Sequence, residues 1–155
     1  MIFHLNNQLL IADHWPTLRE LIKGHFPNEA AECPSYTNNI LTHALLNVDD
    51  FQLLLYYNDD DLNVPVSFFI LDMVYDTLID KKICSVPAWI AIKQMTVPQA
   101  KEMAQQLAAW IKGWGCVTMR AQSLEERVAR KEAAAMARLG LIKNVKLTYS
   151  WYGDL

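Results

Sequence analysis

An α/β (α+β) fold is what this sequence predicts, a mixed and mostly antiparallel central sheet flanked by about four helices, and three observations predict it. Apolar, β-branched and aromatic runs crowd residues 51–96, separated by turn chemistry. Helical stripes with capping signals follow, opening near Thr96 and Ser123. At the end of the chain Val145, Leu147, Tyr149 and Trp151 alternate with Lys146, Thr148, Ser150 and Tyr152, the pattern of a strand with one face on a core.

In chain order, a short apolar start precedes Asp13-His14-Trp15-Pro16, which reads as a helix entry with Pro in the first turn and Trp15, Leu18, Leu21, Ile22 and Phe26 on one side. A loop through Pro27 and Pro34 leads to Ser35, a cap for a second helix whose Ile40, Leu41, Ala44 and Leu45 keep helical spacing to about Asn47. Residues 51–57 form a strand, the Asn58-Asp59-Asp60-Asp61 cluster a turn, and residues 64–75 a second strand pairing back as a hairpin. After an irregular connection at Asp80, Lys81 and Lys82, residues 87–96 make a third strand with Trp89, Ile90 and Ile92.

The next helix has the clearest punctuation. Thr96 and Gln99 make a T-x-x-Q capping box, and Pro98 sits in the first turn where its missing N–H costs nothing. Ala100, Met103, Ala104, Leu107, Ala108 and Ile111 form its apolar stripe, and Gly113 and Gly115 stop it. Residues 116–121 are a strand. Ser123 and Glu126 open a helix running to Leu139, where Gly140 takes the left-handed conformation, and residues 144–152 close the fold.

Length and composition bound the answer. A chain of 155 residues with 52% hydrophobic content fills one core, so one domain over residues 1–155 is expected. A formal net charge of -3 supplies no overall attraction to nucleic acid or an anionic membrane. No apolar run is long enough to span a bilayer, and residues 1–10 lack the basic start and long apolar stretch of a secretory signal, so a cytoplasmic location is expected. Cys33, Cys84 and Cys116 are odd in number with no C-x-x-C pair, and read as buried or semi-buried thiols. His4, His14, His25 and His43 lack metal-ligand spacing and read as surface or hydrogen-bonded histidines, so no metal site is expected.

From Thr96 to Leu141 the chain resembles the GNAT superfamily of N-acetyltransferases. Thr96-Val97-Pro98-Gln99 resembles that family's entry into its cofactor helix, and Met136-Ala137-Arg138-Leu139-Gly140-Leu141 resembles its terminal Leu-Tyr-x-x-Leu-Gly-Phe segment. The element order is similar over nearly the whole chain. The family binds the pyrophosphate of acetyl-CoA on a loop of Gln or Arg, two residues, Gly, one residue, and Gly or Ala, because small residues let backbone N–H groups at a helix N-terminus reach the phosphates. The matching stretch is Gln99-Ala100-Lys101-Glu102-Met103-Ala104. The resemblance assigns Gln99, Ala100, Lys101 and Ala104 to cofactor contact if acetyl-CoA binds, whereas Glu102 replaces the Gly and puts an anion in the first turns.

Further departures follow from the same alignment of motifs. The family's general acid, a Tyr, falls on Met136, whose thioether cannot donate a proton, and an Asn about two turns earlier falls near Ala129. Tyr149 and Tyr152 are the alternative acids on the last strand. A general base would come from Asp72, which interrupts an apolar strand, from Asp76, or from a histidine. No Ser-His-Asp or Cys-His set assembles, so no catalytic residue is assigned.

Three readings remain open. The first is a non-catalytic GNAT-like protein that needs no cofactor and acts in assembly or partner binding with other proteins or copies of itself. At fold level it is similar to internal virion proteins of short-tailed bacteriophages, which implies a place in a phage particle. The second is an acetyl-CoA-dependent N-acetyltransferase with an altered pyrophosphate loop, which calls for a free backbone N–H nest near residues 99–104 and a cleft between the strands ending near Thr96 and Arg120. The third is a regulator acting through the acidic run Asp59-Asp60-Asp61. Opposed charge, acidic there and basic through Arg120, Arg127, Arg130, Lys131, Arg138 and Lys143, suits packing against neighbours, and exposed members of Trp110, Trp114, Trp151 and Tyr152 would anchor it.

Overall fold

A computed structural model describes residues 1–121 and 126–145. Its elements run β1 (Ile2–His4), α1 (Gln8–His25), α2 (Pro27–Glu32), α3 (Tyr36–Leu46), β2 (Phe51–Tyr56), β3 (Ser67–Asp76), β4 (Lys81–Ala91), α4 (Val97–Gly113), β5 (Thr118–Arg120) and α5 (Glu126–Arg138). The strands lie in the order β1-β2-β3-β4-β5; every pairing is antiparallel except the last, β4 with β5, which is parallel. Among the described residues the expected mixed, mostly antiparallel sheet carries five helices, one of them a single short α2. None is long and apolar enough to cross a membrane.

Side chains alternate across this sheet, as the pleat requires. Leu54, Tyr56, Phe69, Leu71, Met73 and Cys84 point to one face, where Met103, Ala104, Leu107 and Ile111 of α4 cover them. Leu53, Leu55, Phe68, Ile70, Ala88 and Ile90 point to the other, under Ile11, Leu18 and Ile22 of α1 and Ala44 of α3.

Helix ends follow local chemistry. The Thr96 hydroxyl accepts from the Gln99 N–H while the Gln99 side chain accepts from the Thr96 N–H, so the capping box is formed at both ends. Helix α4 closes with Gly115 N–H donating to the Lys112 carbonyl and Cys116 N–H to Ile111; α5 closes with Gly140 N–H to Ala137 and Leu141 N–H to Met136. Both are Schellman turns, and both need the left-handed residue that Gly115 (φ 82) and Gly140 (φ 77) supply. The expected Ser123–Glu126 capping box and the final strand, residues 144–152 with Tyr149, Trp151 and Tyr152, lie outside the described residues apart from Asn144 and Val145.

Four expectations are corrected. Helix α1 starts at Gln8, where Asn7 Oδ1 accepts from the Leu10 N–H at 2.9 Å, so Pro16 lies inside the helix. Burial of Ile11 before it and of Leu18 and Ile22 after it holds the helix through a break that costs about 3 kcal/mol. The expected loop after Phe26 contains α2, with Pro27 in its first turn. The third main strand is Lys81–Ala91, not residues 87–96, because the turn at Asp80 (φ 52) sends Lys81 and Lys82 straight back along β3. Cys33 is exposed, whereas Cys84 and Cys116 are buried.

Candidate functional site

Strand β5 pairs with β4 only at Ile83, Cys84 and Ser85, although β4 continues to Ala91. Among the described residues, no strand therefore pairs with residues 86–91 on the β5 side. The two parallel strands part at Ser85 and Arg120, and the edge of β4 beyond that point offers its peptide groups to a ligand.

The parting coincides with a β-bulge. Ile70 pairs with Ala88 and Asp72 with Ser85, so two steps along β3 face three along β4, and the extra residue lies at Val86 or Pro87. Pro87 has no N–H to give a ladder, and a bulge on a strand without a second neighbour accommodates it. As a consequence Pro87 and Ala88, consecutive in sequence, both line one cavity on the α3 face. That cavity, about 260 Å³, is walled by Phe26, Ile40, Phe51 and Ile70, with Tyr36, Asn39 and His43 as its polar-bearing lining.

His43 is exposed on α3 and lies with its ring 5.6 Å from that of Phe51. Asp72 is half-buried on β3 at the register break. Burial pushes its carboxyl above the ordinary carboxylate value, His43 nearby draws it down, and Asp50 pushes it up. Burial, reinforced by Glu29, also raises the Tyr36 phenol. Asp76, the other acid named from the sequence, sits at the far end of β3 in an ion pair with Arg120 at 3.7 Å.

On the opposite face, the N-terminus of α4 uses its own amides. Thr96 and Gln99 N–H groups are taken by the capping box, Pro98 has none, and the Ala100 N–H donates to the Thr96 carbonyl at 2.9 Å. From Lys101 onward, helix geometry commits each N–H to the carbonyl four residues back. The free nest called for at residues 99–104 is therefore absent, and the Val97 N–H is the first-turn donor left over. Gln99 and Ala100 are half-buried, Lys101 is exposed, and Ala104 is fully buried against the sheet. Glu102 lies exposed on the helix, its carboxylate accepting from Gln106 Nε2 at 3.1 Å, and its charge helps raise the buried Tyr56 phenol.

Met136 is half-buried against the α4-side core, and its carbonyl closes the Schellman turn at the end of α5; Ala129 is half-buried too. The remaining polar groups of this face serve structure. Trp110 Nε1 donates to Gln52 Oε1 at 2.8 Å, and Gln52 Nε2 donates to the Asp49 carbonyl at 2.7 Å. His4 Nε2 donates to the Val48 carbonyl, 3.0 Å away, with Trp110 and Trp114 edge-on to its ring. Lys82 Nζ lies 5.8 Å over the Trp114 ring. Burial pushes the Cys84 thiol up to about 12, which leaves it unreactive.

The cavity, the bulge and the electrostatic influence of His43 on Asp72 were not read from the sequence. One signal was available: Pro87 inside an otherwise strand-like run marks a bulge or an edge.

Comparison with known proteins identifies the fold. No protein-family model matches the chain, and no curated protein sequence does. Among solved structures, it is similar to a probable acetyltransferase at TM-score 0.65 and 14% identity, over 100% of this chain and 97% of that one. A possible acetyltransferase from Clostridium difficile 630 matches at TM-score 0.60 and 14% identity, over 99% of this chain and 97% of that one. An aminoglycoside acetyltransferase from an uncultured soil metagenomic sample, solved in complex with sisomicin, matches at TM-score 0.67 and 15% identity, over 100% of this chain and 95% of that one. The chain has the GNAT-like acetyltransferase fold.

Proposed function

We propose that this protein is an acetyl-CoA-dependent N-acetyltransferase whose pyrophosphate loop is altered. One observation carries the reading: β4 and β5 part at a bulge whose residues Pro87 and Ala88 also line the cavity on the α3 face. A ligand arm threaded between the strands from the α4 side would emerge at that cavity. An acyl donor and an acceptor would thus meet at one point, which is the proximity that acyl transfer needs. The acetyltransferase neighbours, aminoglycoside acetyltransferases among them, support the same reading through the shared fold.

The residues fit acetyl-CoA unevenly. The peptide groups of residues 86–91 that face away from β3, without a strand partner among the described residues, suit the amide-bearing arm of the cofactor. At the pyrophosphate end Gln99, Ala100, Lys101 and Ala104 occupy the family's positions, but the amides are capped by the protein itself and Glu102 opposes the anion. Lys101 is the exposed cation available there. When bound, acetyl-CoA supplies the activated acyl group; the chain orients the acceptor, keeps bulk water from the cleft and handles the proton.

A second reading, a non-catalytic protein used in assembly or partner binding, including within a phage particle, is favoured by the self-capped α4 N-terminus and by the apolar role of Met136. Titration with acetyl-CoA by calorimetry separates the two. The enzyme reading expects micromolar binding by the natural protein and tighter binding by Glu102→Gly, which removes the anion. No heat from either protein would sink the enzyme reading and leave the partner-binding one.

A further inference from the structure

The cavity at the bulge has a chemistry of its own. We infer that it takes a compact primary amine with an apolar or aromatic body, and that His43 is the base that removes the proton from its ammonium. This rests on the acyl-transfer reading above.

The substrate class follows from the walls. Phe26, Tyr36 and Phe51 present aromatic surface and Ile40, Ile70, Pro87 and Ala88 aliphatic surface. About 260 Å³ is roughly nine times the volume of a water molecule, room for an amine of about ten heavy atoms. Among the described residues no Lys or Arg lines it, so a phosphorylated acceptor would find no partner. Among the described residues its polar lining side chains are three, Tyr36, Asn39 and His43, too few for a polyhydroxylated polyamine, whose buried hydroxyls would be left unpaired. Acidic Asp72 behind the register break gives the site the sign that attracts an ammonium.

The base follows from the histidines. His4 and His14 have ring nitrogens committed to the Val48 and Leu10 carbonyls, and His25 lies against Phe26 outside the cavity lining. His43 alone lines the cavity, with no hydrogen bond to a described residue and Asp72 near enough to feel its charge. The titratable groups around it are Asp72 on β3, Tyr36 on its own helix, and Asp50 before β2, which is paired with Lys82 at 3.6 Å; β4 contributes only Pro87 and Ala88. Asp72 is then a positioning residue, stabilising the imidazolium that forms.

In the step itself His43 takes one proton from the ammonium. The amine nitrogen bonds to the acyl carbon while the carbon–sulfur bond breaks and its electron pair leaves on sulfur. The nitrogen's remaining surplus proton passes to that sulfur, so the products are an amide, a thiol and one proton that His43 releases to solvent.

Binding of 2-phenylethylamine, neamine and glucosamine 6-phosphate to the natural protein is measured by calorimetry without acetyl-CoA, and thiol release with acetyl-CoA is followed for each. The expected result is binding of 2-phenylethylamine at least about tenfold tighter than the other two. His43→Gln, a change at an exposed position, is expected to lower kcat on the order of 100-fold with KM little changed and to abolish the acid limb of the pH profile. Asp72→Asn is expected to lower kcat by a smaller factor, about tenfold, with KM little changed. Preference for neamine or glucosamine 6-phosphate, or no amine binding, overturns the substrate class, and full kcat in His43→Gln overturns the base. Binding of 2-phenylethylamine without thiol release from any amine would instead overturn the acyl-transfer reading and the base with it, while the cavity's ligand class stood.

Discussion

On the α4 face of the sheet Leu54, Phe69, Leu71 and Met73 pack with α4 in one core, the hollow on this side lies at the rim beside Ile2, Trp110 and Trp114, and most polar groups are spent on one another: Trp110 on Gln52, Gln52 on Asp49, Thr96 on Gln99. On the α3 face a sheet of the same strands leaves a cavity lined by a histidine without a hydrogen bond to a described residue, and half-buried Asp72 is close enough to feel that histidine's charge. The difference is made by one extra residue in β4. It turns Pro87 and Ala88 to the same side, so the small side chains and the ring face α3 where a regular strand would have put bulk.

The largest effect expected from this contrast is in the core. Phe69→Ala should cost about 3–5 kcal/mol, since the packed α4 face cannot collapse, whereas Ile40→Ala at the wall of an existing cavity should cost about 2 kcal/mol or less. Denaturant midpoints of the two variants check this, and equal losses would mean that the α3 face is packed as tightly as the other. Next comes Trp110→Phe, which strands the fully buried Gln52 carbonyl oxygen and should cost about 1–3 kcal/mol in the same assay.

Ser67 sharpens the comparison from the other side. Its hydroxyl is fully buried, with no hydrogen-bond partner among the described residues, at the start of β3, next to Tyr56 on β2 and Ala91 on β4. Ser67→Ala should leave stability unchanged or raise it by up to about 1 kcal/mol, because the hydroxyl is desolvated for no return. A loss of 1 kcal/mol or more would show that the hydroxyl has a partner and that the α4 face also keeps a working polar group.

The smallest expected effect is a pH dependence on the α4 face. Burial lowers His4 from its ordinary value of 6.5, so the folded state binds fewer protons than the unfolded one as pH falls. Stability from this group is fully present above pH 6.5 and is lost as pH drops toward the folded value. His4→Gln should flatten that part of the melting-temperature profile, and an unchanged slope would assign the acid sensitivity elsewhere. Asp72 works in the opposite sense: its raised carboxyl weakens the fold as pH rises through that raised value, so Asp72→Asn should slightly stabilise the protein at neutral pH.

Much of the fold was legible because its signals are local. The Thr96–Gln99 box, Gly140 after Leu139, the stripe of α4 and the turn at Asn58–Asp61 each rest on neighbours in sequence, and the structure has them all. The failures are where distant pairing overruled local chemistry. Pro16 looked like a helix start because nothing nearby reveals that Ile11 is buried on its other side. Lys81 and Lys82 looked like a loop because their partners, Asp76 and Tyr75, sit across a hairpin. Of the candidate site, the sequence pointed to Asp72 by its interruption of an apolar run, but not to His43, which lies about thirty residues away and meets it only through packing.

The sequence by itself determined most of the elements and their order, the start of α4, the glycine-closed ends of α4 and α5, and the resemblance to an acetyltransferase scaffold, because caps, periodicity and turn residues act over a few residues. Only the tertiary structure decided that the α4 amides are already taken, that β4 parts from β5 at a bulge, and that His43 and the aromatic walls line one cavity with Asp72 near by. Those facts depend on strand register and on the geometry of elements far apart in the chain, and a shift of one residue in register moves a side chain from one face of a sheet to the other.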